Sequence, residues 1–220
     1  MSDLRILIAD DHEVMRGGIA ALLGREKGWV VCGEATNGRE AVREAELKRP
    51  DAVILDIAMP ELNGIDAARQ IRKALPDTKI LVFSMHETER LVQEVFHAGA
   101  DGYLLKSDAG KLLITAVRTI TEGRKFFSNK VSDRIFERFL GAGPAAAETA
   151  VENGPGDPTS REREIIQLLA EGCSNKEVAE RLGISVKTAE THRAAIMRKL
   201  SLASLSDLVR YAIRNHIIEP

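Results

Sequence analysis

The stretch AVILDIAMPELNG, residues 52–64, holds a short apolar run that ends in a carboxylate. Ala52 to Leu55 lead directly to Asp56, and a Met-Pro pair and an Asn-Gly pair then turn the chain. Short apolar runs bounded by turn residues are typical of buried parallel strands. The carboxylate at the tip needs an explanation, because burial of an unpaired charge is costly.

Further segments of the first 125 residues resemble this strand. They are residues 5–9, 29–35, 79–84 and 102–106. Helical patterns of ten or more residues lie between them. Near-continuous apolar strands joined by crossover helices predict an α/β fold, namely a flavodoxin-like, doubly wound, five-stranded parallel sheet.

Polar side chains stand at the carboxyl ends of four of these strands. The first strand ends in Asp10 and Asp11, and the third in Asp56. The fourth ends in Ser84 and the fifth in Lys106. Ligand sites of such sheets lie at this edge, and strands 1 and 3 are neighbours in the flavodoxin-like order. The three carboxylates are therefore expected to lie together, beside a hydroxyl and an ammonium group.

Three neighbouring carboxylates repel one another, and a bound divalent cation relieves the repulsion. Oxygen ligands and a partly hydrated shell suit Mg²⁺. With an ammonium and a hydroxyl donor, the cation makes a site for a phosphoryl group, on which a carboxylate can act as nucleophile. A single residue such as Asp11 is as easily explained as a helix cap or turn residue. The complete set favours the phosphoryl site.

The motifs ILIADDH, LDIAMPELNG, FSMH and GADGYLLKS resemble, in order, those of the receiver domain of bacterial two-component response regulators. The resemblance covers about residues 3–125. It implies that Asp56 accepts the phosphoryl group. Asp10, Asp11 and the backbone carbonyl of Ala58 would help Asp56 to hold Mg²⁺.

The same resemblance assigns roles to residues on the fourth and fifth strands. Lys106 would pair with the phosphoryl oxygens, and Ser84 would donate a hydrogen bond to them. Tyr103 stands at the position of the switch aromatic, although a half-buried strand aromatic explains it almost as well. Met85 stands where many receivers have a small residue, and its size could hinder the approach of water or small phosphodonors.

Residues 141–157, GAGPAAAETAVENGPGD, separate two parts of the chain. Four Gly, two Pro and five Ala, with no aromatic residue, leave nothing there to anchor a core. This composition predicts a flexible linker. We predict a receiver domain over 1–125, a connecting helix and flexible linker over 126–157, and a second domain over 158–220.

The second domain has closely spaced helix signals and is predicted to be all-α with four helices. The capping-box patterns TSRE and SNKE begin helices, and Ser185 and Ser204 are further cap candidates. A tight turn at Gly183 joins the helices predicted over 175–182 and 186–200. This is the helix-turn-helix arrangement, in which the second helix enters the major groove of DNA.

The second of these helices is basic. Residues 187–200 hold four Lys and Arg against one Glu, a net charge of +3. The apolar residues expected to face inward are Val186, Ala189, Ile196 and Leu200. On charge alone, an ordinary amphipathic helix with a solvated basic face is the better explanation. The capping and turn pattern reverses that preference.

The run SREREIIQLLAEGCSNKEVAERLGISVKTAETHRAAIMRKL resembles the four-helix DNA-binding domain of the LuxR type. The resemblance implies DNA phosphate contacts from Lys176, Lys187, Thr188, His192 and Lys199. It places near base edges Glu190, Thr191 and Ala194. Glu190 could accept a hydrogen bond from cytosine, and Thr191 could contact a thymine methyl group. For His192 an ordinary surface residue is an equal explanation, and Pro158 and Ser201 stand where the family usually has Leu and Gly.

The composition is that of an ordinary soluble globular protein, with 44% hydrophobic and 29% charged residues. No apolar run approaches the roughly 18 residues of a membrane span, and the start lacks a signal-peptide pattern. Cys32 and Cys173 match no metal or redox spacing, so we expect reduced thiols and a cytoplasmic location. Residues 158–220 carry ten basic and eight acidic side chains, a net of +2, which leaves −4 for the remainder.

These patterns together resemble a response regulator of the NarL/FixJ type, which is not expected to be an enzyme. A histidine kinase would phosphorylate Asp56, and phosphorylation would promote homodimerisation and binding to double-stranded promoter DNA. RNA polymerase is a further candidate partner, and the dimer face is left open. One alternative is a phosphorylation-independent DNA-binding regulator with a silent receiver. Another is a Mg²⁺-dependent phosphatase with an Asp nucleophile, but such enzymes usually have a second Asp where this chain has Ala58.

Overall fold

The structure is a computed structural model that describes residues 3–85, 88–127 and 157–218. The chain divides into two compact units after residue 150, and each is described by itself. Most of the predicted connecting helix and linker, residues 128–156, lies outside the described residues, so the domain boundaries stay predictions. Within the described ranges, no helix is both long enough and apolar enough to cross a membrane.

A parallel sheet forms the centre of the first unit. Its strands are β1 (Leu4–Ala9), β2 (Trp29–Ala35), β3 (Ala52–Asp56), β4 (Lys79–Ser84), β5 (Gly102–Leu105) and β6 (Phe126–Phe127). They lie in the order β2-β1-β3-β4-β5-β6, and each neighbouring pair is parallel. The predicted flavodoxin-like sheet, with β1 beside β3, is confirmed.

The structure adds a sixth strand to the five that the sequence predicts. Phe126 and Phe127 pair with Gly102 and Tyr103 of β5. Phe127 also stacks on Phe96, with the ring centroids 4.3 Å apart. Two residues are too few to show a strand periodicity, and the sequence analysis places the start of the connecting helix there.

Helices cover both faces of the sheet. They are α1 (Glu13–Leu23), α2 (Gly38–Lys48), α3 (Gly64–Ala74), α4 (Glu89–His97) and α5 (Ala109–Thr121), and a 3₁₀ turn spans Lys106–Asp108. The side chains of Asn37, Asn63 and Thr88 accept hydrogen bonds from the first turns of α2, α3 and α4. These caps fix where each helix begins after its strand.

Alternate strand residues fill two separate cores. Leu7 and Val53 pack on the face covered by α2, α3 and α4. Ile8 and Ile54 pack on the opposite face, against α1 and α5. Each fully buried aliphatic side chain stabilises the fold by about 1.5–3 kcal/mol. Burial on both faces explains why these strands have continuous apolar runs instead of alternating ones.

Two glycines allow helices to begin in contact with the chain near the carboxyl edge. A Cβ atom on Gly64 would lie 1.9 Å from the carbonyl oxygen of Asp56. A Cβ atom on Gly38 would lie 2.0 Å from the carbonyl oxygen of Leu62. The Asn-Gly pair at 63–64 therefore does more than turn the chain, because it brings α3 against the end of β3.

The second unit contains the helices α6 (Ser160–Ala170), α7 (Asn175–Leu182), α8 (Val186–Lys199) and α9 (Leu205–Arg214). Both predicted capping boxes are formed, by Thr159 with Glu162 and by Ser174 with Glu177. The Ser185 and Ser204 side chains cap α8 and α9. The predicted four-helix arrangement is confirmed.

The turn between α7 and α8 follows the predicted pattern. Gly183 ends α7 in the left-handed conformation, with φ of 63°. Ala189 and Ile196 of α8 are buried against Ile165 and Leu208 of α6 and α9. Val186, which the sequence analysis places on the inward face, is instead 42% exposed. It is the first residue of α8, and that end of the helix lies beyond the core.

The two departures from the LuxR-type pattern have different structural consequences. Pro158 is buried at the start of the unit, so it fills an interior position as the usual Leu would. Ser201 follows α8 with φ of 53°. A non-glycine residue in that region costs about 1–2 kcal/mol, so this departure leaves backbone strain after the helix.

Candidate functional site

The carboxyl ends of β1 and β3 bring three carboxylates together. Asp10 and Asp56 are only 1% and 2% exposed, while Asp11 lies at the surface. One ligand atom from each, together with one from His12, can be chosen so that all lie within 4.8 Å of one another. We call Asp10, Asp11 and Asp56 the acidic site. The three carboxylates predicted to meet at this edge do so, and a divalent cation fits this donor set.

The ammonium group of Lys106 lies between the two buried carboxylates. Its Nζ is 2.8 Å from Asp56 Oδ2 and 2.9 Å from Asp10 Oδ2, and the side chain is 6% exposed. Lys106 begins the 3₁₀ turn directly after β5, and its Nζ lies 5.8 Å from the centre of the Phe83 ring. With Asp11 included, the site holds three carboxylates and one cation, so negative charge is in excess.

The environment shifts the protonation equilibria of this pair. Burial raises the pKa of Asp56 to about 7, against the lowering effect of Lys106, and the charges of Asp10 and Asp11 raise it further. Burial lowers the pKa of Lys106, but its hydrogen bonds and ion pairs with Asp56 and Asp10 outweigh burial and raise it. Lys106 is therefore a stable positive charge, and further positive charge near Asp56 would favour its ionised form.

Ser84 and Tyr103 lie on strands next to the acidic site. Asp56 is in register with Phe83, so Ser84 is one residue beyond it on β4, and it is 3% exposed. Tyr103 on β5 lies opposite Val82 of β4. It is fully buried, whereas the alternative explanation from the sequence expects a half-buried strand aromatic. Met85 is 67% exposed.

Ala58 lies in the loop between β3 and α3, two residues after Asp56, and is half-buried. The loop is held by the amide of Ile57, which donates to the Phe83 carbonyl oxygen at 3.2 Å, and by the amide of Gly64, which donates to the Ile57 carbonyl oxygen at 2.9 Å. These bonds fix the two sides of the loop that carries Ala58.

Two residues that the sequence analysis left without a role contact the acidic site. His12 Nδ1 is 2.7 Å from Asp11 Oδ1, and the His12 amide donates to Asp10 Oδ1 at 2.9 Å. The Arg16 guanidinium donates to the Asp10 carbonyl oxygen at 2.8 Å and pairs with Glu34 on β2. For His12 the available signal was its place directly after Asp10 and Asp11. For Arg16 the available signal was its place in the first turn of the helix that follows β1.

In the second unit, one face of α8 is continuously exposed. Its members are Lys187, Glu190, Thr191, Ala194 and Arg198, at helical spacings of three, four and seven. We call this set the recognition face. It contains all three predicted base contacts, Glu190, Thr191 and Ala194, and one of the five predicted phosphate contacts, Lys187. Arg198 shares this face, although the sequence predicts no role for it beyond its contribution to the charge of the helix.

The other predicted DNA contacts vary in accessibility. Lys176 on α7 is exposed and His192 is half-buried. The Thr188 hydroxyl lies 2.8 Å from the cap hydroxyl of Ser185, within the first turn of α8. Lys199 is 2.7 Å from Glu162 Oε2. A phosphate contact from Lys199 would compete with this ion pair. We therefore expect Lys199 to contribute less to DNA binding than Lys187.

Two family models match the chain. "Response regulator receiver domain" covers residues 6–118, and "Bacterial regulatory proteins, luxR family" covers residues 159–212. The first match contains the acidic site and the second contains the recognition face.

Relatives and solved structures agree with these models. The chain is 37% identical over 221 residues to the oxygen regulatory protein NreC of Staphylococcus epidermidis, covering 98% of this chain and 100% of that protein. NreC of Staphylococcus carnosus gives the same identity and coverage. A crystal structure of a LuxR-family two-component response regulator from Aurantimonas sp. SI85-9A1 is 35% identical, with a TM-score of 0.59, over 63% of this chain and 99% of that one. The chain therefore belongs to the two-component response regulators, as a DNA-binding transcription regulator with a receiver domain and a LuxR-type helix-turn-helix domain.

Proposed function

We propose that Asp56 receives a phosphoryl group from a histidine kinase. The observation that carries this proposal is the buried Asp56 carboxylate, 2.8 Å from Lys106 and grouped with Asp10 and Asp11. Asp56 is 2% exposed, so its nucleophilic oxygen is held in one position. Because an aspartate is a weak nucleophile, the acceleration of phosphoryl transfer has to come from positioning and charge neutralisation.

Asp10, Asp11, Asp56 and the backbone carbonyl of Ala58 would hold Mg²⁺ in this proposal. Their oxygen atoms match the hard-ligand preference of this ion. When bound, Mg²⁺ supplies the positive charge that neutralises the excess of carboxylates and the phosphoryl oxygens. Arg16 would support the site without being a ligand, because its hydrogen bond to the Asp10 carbonyl oxygen fixes the turn that carries Asp10 and Asp11.

The chemical step is a transfer between two side chains. A carboxylate oxygen of Asp56 attacks phosphorus, the new O–P bond forms, and the N–P bond to the donor histidine breaks. The electron pair of the broken bond stays on the imidazole nitrogen. Lys106, already 2.8 Å from Asp56, then pairs with the phosphoryl oxygens, and Ser84 donates a hydrogen bond to them.

The phosphoryl group would act as a switch through β4 and β5. Ser84 ends β4, and Tyr103 on β5 is opposite Val82 of β4. A hydrogen bond drawn from Ser84 toward the phosphoryl group would change the packing around Tyr103 and the neighbouring helices. We propose that the altered surface promotes homodimerisation. Dimers would then bind paired half-sites of promoter DNA in the cytoplasm, and RNA polymerase is a further proposed partner.

The recognition face would enter the major groove. Lys187 and Lys176 are proposed to contact phosphates, with Thr188, His192 and Lys199 as further contacts. Glu190, Thr191 and Ala194 are proposed to approach base edges. The exposure of Lys187 and Glu190 supports this assignment, because groups that read DNA have to reach beyond the helix surface.

Intact mass tests the proposal directly. Wild type, Asp56→Asn and Asp77→Asn are incubated with Mg²⁺ and acetyl phosphate, and the same samples are run on a sizing column. Asp77 is an exposed carboxylate of the same unit and serves as the matched control. We expect one added phosphoryl group and a shift toward dimer in wild type and Asp77→Asn. Full labelling of Asp56→Asn would contradict the assignment of Asp56.

A further inference from the structure

One carboxylate of the second unit lies against a lysine that is predicted to contact DNA phosphate. Lys199 Nζ is 2.7 Å from Glu162 Oε2, and the two side chains are 31% and 18% exposed. Glu162 lies in the first turn of α6, and Lys199 is the last residue of α8. The ion pair therefore joins the start of α6 to the end of the helix that carries the recognition face.

The Glu162 carboxylate is held in place by its own helix. In the capping box of α6, the Thr159 amide donates to Glu162 Oε2 at 2.7 Å, and the Glu162 amide donates to Thr159 Oγ1 at 3.2 Å. Burial raises the pKa of Glu162, but the hydrogen bonds from Lys199 and the Thr159 amide outweigh burial and lower it. The carboxylate is therefore ionised and positioned before DNA binds, so its contact with Lys199 costs little additional ordering.

Lys199 lies on a side of α8 that adjoins the recognition face. Thr188, His192 and Lys199 follow one another at helical spacings of four and seven, which place them on one side of the helix. All three are predicted to contact phosphate. A phosphate that approached Lys199 would also approach the Glu162 carboxylate, because that carboxylate is already 2.7 Å from the ammonium. Like charges at short range repel, and partly buried charges are screened less than exposed ones.

We propose that Glu162 competes with DNA phosphates for Lys199 and thereby lowers the affinity of the protein for DNA of any sequence. Phosphate contacts supply essentially all of the affinity for non-specific DNA. Neutralisation of one phosphate-contacting lysine therefore weakens non-specific binding, while the side chains proposed to read bases, such as Glu190 and Thr191, stay exposed. The inference rests on the proposed phosphate contact of Lys199, and it gives Glu162 a role beyond that of a helix cap.

Glu162→Gln separates the charge from the cap, because glutamine also serves in a capping box. Fluorescence anisotropy of the full chain with duplex DNA of random sequence, at several salt concentrations, measures the effect. We expect the variant to show a salt slope steeper by about 0.9, the value of one added phosphate contact, and binding tighter by about fivefold at about 0.15 M salt. Thermal unfolding verifies that the variant is folded.

Two controls make the result specific. Glu171→Gln removes the same charge at the other end of α6, about 13 Å along the helix axis, and should behave as wild type. In a Lys199→Ala background, Glu162→Gln should leave the salt slope unchanged, because there is no ammonium to release.

An unchanged slope in Glu162→Gln alone would overturn the inference, as would the same steepening in the Lys199→Ala background. Weaker binding by Glu162→Gln would also overturn it, because Glu162 would then position Lys199 for DNA instead of competing with DNA. A failure of the proposed DNA interface would appear differently, as a wild-type salt slope in Lys187→Ala.

Discussion

The acidic site and the recognition face carry charge in opposite ways. Asp56 and Lys106 are almost fully buried and 2.8 Å apart, so each group constrains the other. Lys187 and Glu190 on α8 lie at the surface, where solvent screens them. Buried charges require partners from the same chain, whereas exposed charges can remain solvated until a binding partner pairs with them. Changes in the acidic site should therefore affect folding and function together, and changes on the recognition face should affect DNA binding alone.

Loss of the Lys106 ammonium should cause the largest loss of stability. Lys106→Ala leaves Asp10 and Asp56 buried without their cation, and we expect a loss of about 3–5 kcal/mol in the free energy of unfolding. Urea denaturation without added metal measures it. Lys125→Ala is the control, because Lys125 is 40% exposed in its pair with Asp101 and should cost less than about 1 kcal/mol. Equal losses in both variants would contradict the distinction.

The close approach at Gly64 gives the next largest effect. Gly64→Ala puts a Cβ atom 1.9 Å from the Asp56 carbonyl oxygen, and we expect destabilisation by about 3 kcal/mol together with weaker Mg²⁺ binding. Gly17→Ala is the control, since its Cβ atom would meet nothing within 4 Å. That variant should stabilise α1 by about 1 kcal/mol. A neutral Gly64→Ala would show that β3 and α3 are not held together as described.

The raised pKa of Asp56 predicts a pH dependence. Burial raises the pKa of the native Asp56 carboxyl to about 7, against an ordinary value of 3.8. Between these values the native state binds more protons than the unfolded state, so stability falls as pH rises. Without metal, the wild type should lose on the order of 3 kcal/mol across this window.

Asp56→Asn removes that titration. Thermal unfolding at pH 5 and pH 8, with a chelator present, should show the variant gaining on wild type at the higher pH. A constant difference between the two proteins at both pH values would mean that burial does not govern the ionisation of Asp56.

Removal of the Lys187 charge should leave folding unchanged and weaken DNA binding. Lys187→Ala is expected to lower the salt slope of DNA binding by about 0.9, the value of one phosphate contact. Fluorescence anisotropy at several salt concentrations measures the slope. Lys27→Ala, another exposed lysine, should keep the wild-type slope. An unchanged slope in Lys187→Ala would argue against the phosphate contact.

The smallest effect concerns the turn after α8. Ser201→Gly should relieve the left-handed conformation at φ of 53° and stabilise the second unit by about 0.5–1 kcal/mol. Ser204→Ala should have the opposite sign, a loss of about 1 kcal/mol, because Ser204 caps α9. Thermal unfolding of the two variants measures these changes in stability. A loss of stability in Ser201→Gly would show that the serine side chain stabilises the turn.

Features that depend on local chemistry could be predicted from the sequence. The strand that ends at Asp56 and the caps at Thr159 and Ser185 follow from residues within one turn or strand of each other. The meeting of Asp10 with Asp56 also followed, because parallel strands share one edge. In these places periodicity and turn chemistry determine the outcome.

Features that depend on contacts across elements could not be predicted. The pairing of Lys199 with Glu162 joins residues 37 positions apart, and no local pattern indicates it. The exposure of Val186 depends on where the core of the second unit ends. Each of these outcomes is decided by tertiary packing.

We propose that a phosphoryl group on Asp56 controls the DNA-binding unit. The most direct test selects DNA fragments from a random pool and measures their affinity for wild type and Asp56→Asn, with and without acetyl phosphate and Mg²⁺. We expect the phosphodonor to tighten DNA binding by wild type and to leave DNA binding by Asp56→Asn unchanged. Equal affinity of labelled and unlabelled wild type would contradict it, and the protein would then be a DNA-binding regulator with a silent receiver.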